Sequence, residues 1–188
     1  MSSTAPTLGD NQHSAMFFWP TPDRPVIDRG DGIYLWDQDG NRYIDACSGP
    51  QTANIGHGNA RVREAMSAQA EKVSYAFRSH FLNEPAESLA REIVGLCPDG
   101  LDQVFFTSGG SEAVEACIKL ARQYALAIGE ATRYKVISRL PSYHGTTLGA
   151  LSLTGDPAGF SMFAPMMVNM PKIPAPFCRY RPAGETED

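Results

Sequence analysis

The sequence is poor in cysteine and has no cysteine pair at metal-binding spacing. No Cys-x-x-Cys motif occurs among its 188 residues, which excludes the common zinc clusters. His57 and His144 also lack companions at ligand spacing, so we expect no metal site. An intracellular, reduced protein fits this composition better than a disulfide-linked secreted one. The four cysteines are Cys47, Cys97, Cys117 and Cys178.

Positive charge and long apolar runs are also scarce. The formal net charge is −5, and no basic patch alternates with aromatic residues, so we expect no nucleic-acid partner. No apolar run is long enough to cross a bilayer. Residues 1–20 lack the charged and apolar regions of a signal peptide. These absences together predict a soluble cytoplasmic protein.

The segments that are present alternate between strand and helix patterns. An apolar share of 43% supports a sizeable core, in one domain or in one domain plus a fragment. Asp39-Gly40, between β-prone runs at 33–36 and 42–44, predicts a hairpin. Residues 20–31 are rich in Pro and Asp and are expected to be irregular, as is the proline-rich tail. Helices are predicted over 59–73, 83–100, 110–129 and 145–155, and buried strands at 101–107 and 134–140. This alternation predicts an α/β fold with a mostly parallel sheet.

The stretch FFTSGGSEAVEACIKLAR, residues 105–122, places a small-residue turn at the start of a helix. The first N–H groups of a helix lack partners and lie at its positive end, where a phosphate would satisfy them. Glycines 109 and 110 would let the anion approach, and Ser111 would add a hydroxyl donor. Alternatively, Ser108 or Gly109 begins a capping box with Glu112, which favours a plain capped helix. Glu112 would repel a phosphate, so we assign its carboxylate to capping or packing.

A second loop, SYHGTT at 142–147, follows the strand predicted at 134–140. Ligands bind at this end of the strands in parallel α/β sheets. Tyr143 offers a flat aromatic face, and His144 an imidazole. Paired with the turn at 108–111, the loop would suit a planar, phosphorylated cofactor. The alternative is that Tyr143 only packs and His144 is an ordinary loop histidine.

The two loops together resemble the class III aminotransferases, fold-type I enzymes that depend on pyridoxal 5′-phosphate. The matching motifs are TSGGSEA at 107–113, SYHG at 142–145, and the N-terminal segments GDGIYLWDQDGNRYIDACSG and NIGHGNARVREAM. By that resemblance, the main chain of Gly110 and Ser111, with the Ser111 hydroxyl, holds the cofactor phosphate. Tyr143 stacks on the pyridine ring with His144 beside it. The loop at 48–54 lines the substrate side, where Pro50-Gln51 replaces the bulky residue common in the family and makes Gln51 a candidate substrate contact.

The resemblance also implies an arrangement of domains and subunits. Residues 1–57 would form the N-terminal segment of a small domain, and residues 58–188 the first part of the large, cofactor-binding domain. Residues 78–82 would reach toward the active site of a neighbouring subunit in a homodimer. The reaction would transfer an amino group from an amine or ω-amino acid to a 2-oxo acid such as pyruvate.

The catalytic lysine of the family has no counterpart among the lysines of this sequence. In the family, that lysine forms a Schiff base with the cofactor, and an acidic residue pairs with the pyridine nitrogen. Both residues lie well C-terminal to the Tyr-His-Gly motif in the family's sequences. None of the lysines at 72, 119, 135 and 172 stands in a comparable context. We therefore expect the N-terminal portion of an aminotransferase, without a catalytic residue of its own. An incomplete sequence fits better than a genuine short product, because a partial large domain would expose sheet edges and apolar faces and be poorly soluble.

Two other functions stay open. A genuine short product could be an inactive fragment or subunit that binds pyridoxal phosphate or another phosphorylated ligand. A hydrolase using Ser111 or Ser142 with His144 is weakly supported, because the sequence has no Gly-x-Ser-x-Gly elbow.

Overall fold

The computed structural model describes residues 24–156 and 161–176. The chain separates into two compact units, Met1–Glu84 and Pro85–Asp188. Cys178, and the first 20 residues in which we expect no signal peptide, lie outside the described residues. No helix in the described part of the chain combines the length and the apolar character needed to cross a membrane.

The first unit contains a three-stranded antiparallel sheet in the order β1-β2-β3. The hairpin predicted around Asp39-Gly40 is confirmed, since its two strands are β2 and β3. The third strand, β1, was not predicted, because Pro and Asp in this segment favour irregular backbone. Pairing with β2 overrides that preference, and the Arg29 guanidinium lies 3.7 Å from the centre of the Trp36 ring. The strands are β1 (Ile27–Asp31), β2 (Tyr34–Asp37) and β3 (Arg42–Ile44).

The side chain of Asp37 fixes the hairpin turn. Its carboxylate accepts hydrogen bonds from the backbone N–H groups of Asp39 (3.1 Å) and Asn41 (2.8 Å). It also accepts from the Asn41 amide (3.0 Å) and the Tyr43 hydroxyl (2.7 Å). The Tyr43 hydroxyl is the main reason why the pKa of Asp37 lies below its usual range, with the Asn41 amide next. The turn is therefore stabilised by a carboxylate as well as by the glycine at its tip.

Two helical segments complete the first unit. α1 (Ser48–Gln51) is an irregular turn of helix, with Gly49 and Pro50 outside helical backbone angles. α2 (Ala60–Lys72) confirms the helix predicted at 59–73. Asn59 is its N-cap, as its side chain accepts a hydrogen bond from the Val62 N–H at 3.2 Å. The cap shows why this helix starts where the sequence indicated.

The second unit combines helices with a short parallel sheet. The two strands, β4 and β5, pair in parallel through Ser138↔Lys172, Arg139↔Ile173 and Leu140↔Pro174. A helix lies between them in sequence, as in a βαβ unit. Its elements are α3 (Glu84–Leu96), α4 (Gly110–Ala127), β4 (Ser138–Leu140), α5 (Leu148–Leu153), a 3₁₀ helix (Ser161–Met166) and β5 (Lys172–Pro174). The apolar residues that are buried include Ala125, Ala150, Leu151 and Leu153.

One predicted strand is absent and another is shortened. Residues 101–107 form no strand, and Phe105 is 61% exposed, so that prediction is wrong. A strand needs a ladder of backbone hydrogen bonds to a neighbour, and residues 101–107 form no β-bridge within the described part of the chain. Of the strand predicted at 134–140, only 138–140 pairs, alongside β5. β5 itself was not predicted, because a run of three residues among prolines is too short to show the alternation of apolar and polar residues that indicates a strand.

Candidate functional site

The start of α4 offers three backbone donors without acceptors. Gly109 is the N-cap residue, in extended backbone with no side chain to cap the helix. Within residues 24–156 and 161–176, no hydrogen bond is made by the N–H groups of Gly110, Ser111 and Glu112. A Cβ at Gly110 would meet nothing within 4 Å. The alternative of a side-chain cap by Ser108 is therefore not formed, and the helix end is open to an anion.

The carboxylate of Glu112 folds back over the turn rather than away from it. A Cβ built at Gly109 would lie 2.8 Å from Glu112 Oε2. This position agrees with the expected packing of Glu112 against the turn. A side chain at position 109 would displace the carboxylate from this position.

Ser111 joins this helix end to the second predicted loop. Its Oγ accepts a hydrogen bond from the backbone N–H of Thr146 at 3.0 Å. A Cβ at Gly145 would come within 2.5 Å of the same oxygen, and Gly145 has a φ of +124°. Only glycine permits this approach with this backbone. Because Oγ is used here as an acceptor, its hydrogen is available to a ligand.

Glu115 lies one helical turn after Ser111 and holds the start of α5. Its Oε1 accepts hydrogen bonds from the Thr147 hydroxyl (2.8 Å) and from the N–H groups of Gly149 (2.9 Å) and Ala150 (3.2 Å). The Thr147 hydroxyl is the first cause of the lowered pKa of Glu115. Glu115 is not among the site residues predicted from the sequence. The available signal was its i, i+4 spacing from Ser111, which puts both side chains on one helix face.

The loop that carries Tyr143 and His144 is tied at its base by backbone hydrogen bonds. Ser142 and Gly155 exchange two of them, at 3.1 and 2.9 Å. The His144 N–H donates to Thr154 Oγ1 at 3.0 Å. Tyr143 follows β4 by three residues and is 69% exposed. The loop therefore begins at the carboxyl end of a parallel strand, as predicted, and its aromatic ring is accessible.

The structure brings together four of the five predicted site residues in the second unit. Gly110 and Ser111 begin α4, and Tyr143 and His144 lie just before the Gly145–Thr146 segment that contacts Ser111. The fifth, Gln51, is exposed in the first unit with a φ of 63°.

Neither candidate serine has the surroundings of a hydrolase nucleophile. The Ser142 hydroxyl donates to the Arg139 carbonyl, and the Ser111 hydroxyl oxygen accepts a hydrogen bond from the Thr146 N–H. In the described part of the chain, no hydrogen bond connects either serine with the His144 imidazole. The base–nucleophile pair that such a mechanism requires is not formed here.

The lysines of the sequence lie outside the start of α4 and the Tyr143 loop. Lys72 ends α2, Lys119 lies within α4, and Lys135 precedes β4. The Lys172 ammonium donates to the Ser152 carbonyl at 2.6 Å, and burial lowers its pKa. Among the described residues, no group of three or more His, Cys, Asp or Glu side chains could hold a metal ion.

Comparison with known proteins gives one consistent result. The sequence matches the aminotransferase class-III family over residues 20–187. It is 42% identical to YodT, an uncharacterized aminotransferase of Bacillus subtilis, over 164 residues. These cover 87% of this chain and 37% of that protein. A probable aminotransferase of Mycobacterium tuberculosis is 42% identical over 150 residues, 80% of this chain and 32% of that protein.

Solved structures agree with the sequence matches. The adenosylmethionine-8-amino-7-oxononanoate aminotransferase of Methanocaldococcus jannaschii superposes with a TM-score of 0.82 at 33% identity, covering 87% of this chain and 39% of that one. An ω-transaminase of Pseudomonas jessenii, solved in complex with PMP, gives 0.82 at 31% identity and covers 91% and 40%. The chain spans about a third of the length of the curated relatives it matches.

Proposed function

Because the chain belongs to the class III aminotransferases, a pyridoxal 5′-phosphate-dependent family of fold type I, we propose that the full-length protein is a transaminase. It transfers an amino group from an amine or ω-amino acid to a 2-oxo acid such as pyruvate. The observation that supports this most directly is the pairing of an uncapped helix end with an accessible aromatic loop. That pairing suits a phosphorylated, planar cofactor.

The start of α4 is the proposed phosphate site. The free N–H groups of Gly110 and Ser111 and the Ser111 hydroxyl are the donors, and the open space at Gly110 admits the phosphate. The helix dipole adds to the attraction. The Glu112 carboxylate opposes it, and lies back over Gly109.

The loop after β4 is the proposed ring site. Tyr143 stacks on the pyridine ring, and His144 lies beside it. When bound, pyridoxal 5′-phosphate supplies an electron-withdrawing ring that stabilises negative charge on the substrate carbon. The residues of this chain bind and orient that ring. The Schiff-base lysine is proposed to lie outside this sequence, because none of its four lysines stands in a context like that of the family's catalytic lysine. The amino group of Lys172 is also engaged with Ser152.

Further features of the whole protein are proposed from the family. Residues 1–57 belong to the small domain and residues 58–188 to the large one, and Gln51 contacts substrate. The protein is a homodimer in which residues 78–82 reach the neighbouring active site. The exposure of Phe81 (65%) and Leu82 (84%) supports an apolar contact there. A cytoplasmic location agrees with the free thiols of Cys47, Cys97 and Cys117.

Reduction with borohydride tests the enzyme proposal. The full-length protein, purified with pyridoxal 5′-phosphate, should absorb in the visible range, and reduction should attach the cofactor covalently to one lysine. Peptide mapping should find that lysine outside this sequence. Label on Lys72, Lys119, Lys135 or Lys172 would overturn the proposed position of the catalytic lysine. Reversible binding without covalent attachment would favour the alternative, a binding subunit without chemistry.

A further inference from the structure

We propose that Glu115 is a positioning residue that fixes the Tyr143 loop relative to the phosphate-binding end of α4. This inference rests on the proposed cofactor site. It adds to that site a residue that donates no hydrogen bond to the phosphate. Glu115 is acceptor-only when ionised, so it acts through the elements that it joins.

Glu115 and Ser111 form two adjacent attachments between α4 and the same segment. Ser111 Oγ receives the Thr146 N–H, and Glu115 Oε1 receives the Thr147 hydroxyl and two N–H groups at the start of α5. Side chains four residues apart on a helix lie on one face, about one turn apart. Two attachments on a single rigid helix face define the orientation of the attached segment, whereas one would allow it to pivot.

Two glycines make the close approach possible. A Cβ at Gly145 would collide with Ser111, and a Cβ at Gly149 would collide with both carboxylate oxygens of Glu115. The backbone of the segment therefore packs against Ser111 at the first attachment and against the Glu115 carboxylate at the second. Tyr143 and His144 immediately precede Gly145, so the position of the aromatic loop follows from these contacts.

The carboxylate of Glu115 also supplies what the start of α5 lacks. The N-cap residue of α5, Thr147, makes no side-chain cap of its own. Glu115, from another helix, accepts the N–H groups of Gly149 and Ala150 in its place. Losing this acceptor would leave partly buried donors unpaired, and the segment from 145 to 150 would move more freely.

Hydrogen exchange of the cofactor-free protein tests this first. In the full-length protein, Glu115→Ala should raise amide exchange in residues 145–150 by about tenfold or more, as expected for losing a charge-assisted acceptor. Glu115→Gln keeps an acceptor oxygen and should show a smaller increase. Glu87→Ala, at an exposed glutamate of α3, is the matched control and should change nothing there. Equal exchange in Glu115→Ala and the control would overturn the proposal.

Cofactor binding provides the second readout. Glu115→Ala should weaken the binding of pyridoxal 5′-phosphate about tenfold. Inorganic phosphate, as a competitor of cofactor binding, should keep its affinity because the donors at Gly110 and Ser111 are unchanged. Glu115→Gln should recover part of the loss. An equal loss for cofactor and for inorganic phosphate would overturn the proposal by indicating general damage to the turn.

Two further outcomes separate this proposal from the one on which it rests. A wild-type protein that binds no cofactor would overturn the proposed function, while the exchange comparison would still decide whether Glu115 holds the loop. If Glu115→Ala does not fold, Thr147→Val removes the hydroxyl donor alone. Thr147→Val should raise amide exchange in residues 145–150 and weaken cofactor binding, as Glu115→Ala is expected to do. No change in either quantity would contradict the proposal.

Discussion

The Ser111 hydroxyl oxygen accepts the backbone N–H of Thr146 at a distance of 3.0 Å. The two residues are 35 positions apart in the sequence. This bond places the second candidate loop directly against the helix end that presents free N–H groups. The phosphate donors and the aromatic loop are therefore parts of one local arrangement within the second unit.

Replacing Gly145 with alanine should disrupt that arrangement. The new Cβ would lie 2.5 Å from Ser111 Oγ and 3.0 Å from Ala150 Cβ, on a backbone with a φ of +124°. We expect a loss of about 2–4 kcal/mol in the free energy of unfolding, from backbone strain and overpacking. Denaturant unfolding of the full-length protein measures it.

Gly95→Ala is the matched control for that substitution. Gly95 lies in α3, and a Cβ there would meet nothing within 4 Å. Alanine should stabilise the helix by about 0.5–1 kcal/mol. Equal effects of the two substitutions would show that the close contact at Gly145 is not important for stability.

Ser111→Ala should weaken cofactor binding by about 1–3 kcal/mol, because a hydrogen bond to a charged group is lost. It also removes the acceptor of the Thr146 N–H. Ser108→Ala is the matched control, because Ser108 does not cap α4. Titration with pyridoxal 5′-phosphate should distinguish the two variants. Similar affinities in both would remove Ser111 from the site.

The sequence allowed the helices and the hairpin to be predicted, because their signals are local. α2 and α4 are long helices with apolar residues at helical spacing, and Asn59 is a side-chain cap that can be recognised in sequence. Asp39-Gly40 marked the hairpin turn. Each of these features depends on residues within a few positions of one another.

Features that the local residue pattern does not signal were missed. β1 pairs with the adjacent strand β2, with Asp31 opposite Tyr34, although Pro and Asp in its segment favour irregular backbone. Residues 101–107 have an apolar, strand-like pattern but form no strand in the described structure. The spacing of Glu115 from Ser111 is visible in the sequence, but its hydrogen-bond donors are not, since they lie 32 to 35 residues away. The candidate site residues rest on a resemblance to a family, which added information that the local pattern lacks, and they stay a prediction.

Gly149→Ala should reproduce the effect of Glu115→Ala without changing the carboxylate itself. The added methyl group would collide with both carboxylate oxygens of Glu115 and displace them from Thr147. We expect a loss of about 1–3 kcal/mol in unfolding free energy. The double variant measures the coupling of the two sites. Combined with Glu115→Ala, the Gly149 substitution should have a much smaller effect. Strict additivity in denaturant unfolding would contradict the contact.

Asp45 and His57 should make the first unit sensitive to acid. His57 Nε2 and Asp45 Oδ2 lie 2.9 Å apart, and Asp45 Oδ1 also accepts the Ser48 N–H at 2.8 Å. The hydrogen bond to His57 is the main cause that lowers the pKa of Asp45 from its ordinary value of 3.8. Since the folded pKa is below the unfolded one, this stabilisation is fully present above the unfolded value and is lost as the pH falls through the folded one.

Asp45→Asn tests this pH dependence. Its unfolding free energy should be lower than that of the wild type at neutral pH, and the difference should shrink as the pH falls below the unfolded pKa. Asp28→Asn, at an exposed position on β1, is the control and should follow the wild type throughout. The two strand contacts of His57, whose N–H and carbonyl both pair with Gly32, should remain in Asp45→Asn. A difference between Asp45→Asn and wild type that stays constant down to the lowest pH would show that the Asp45 carboxylate is not stabilised by His57.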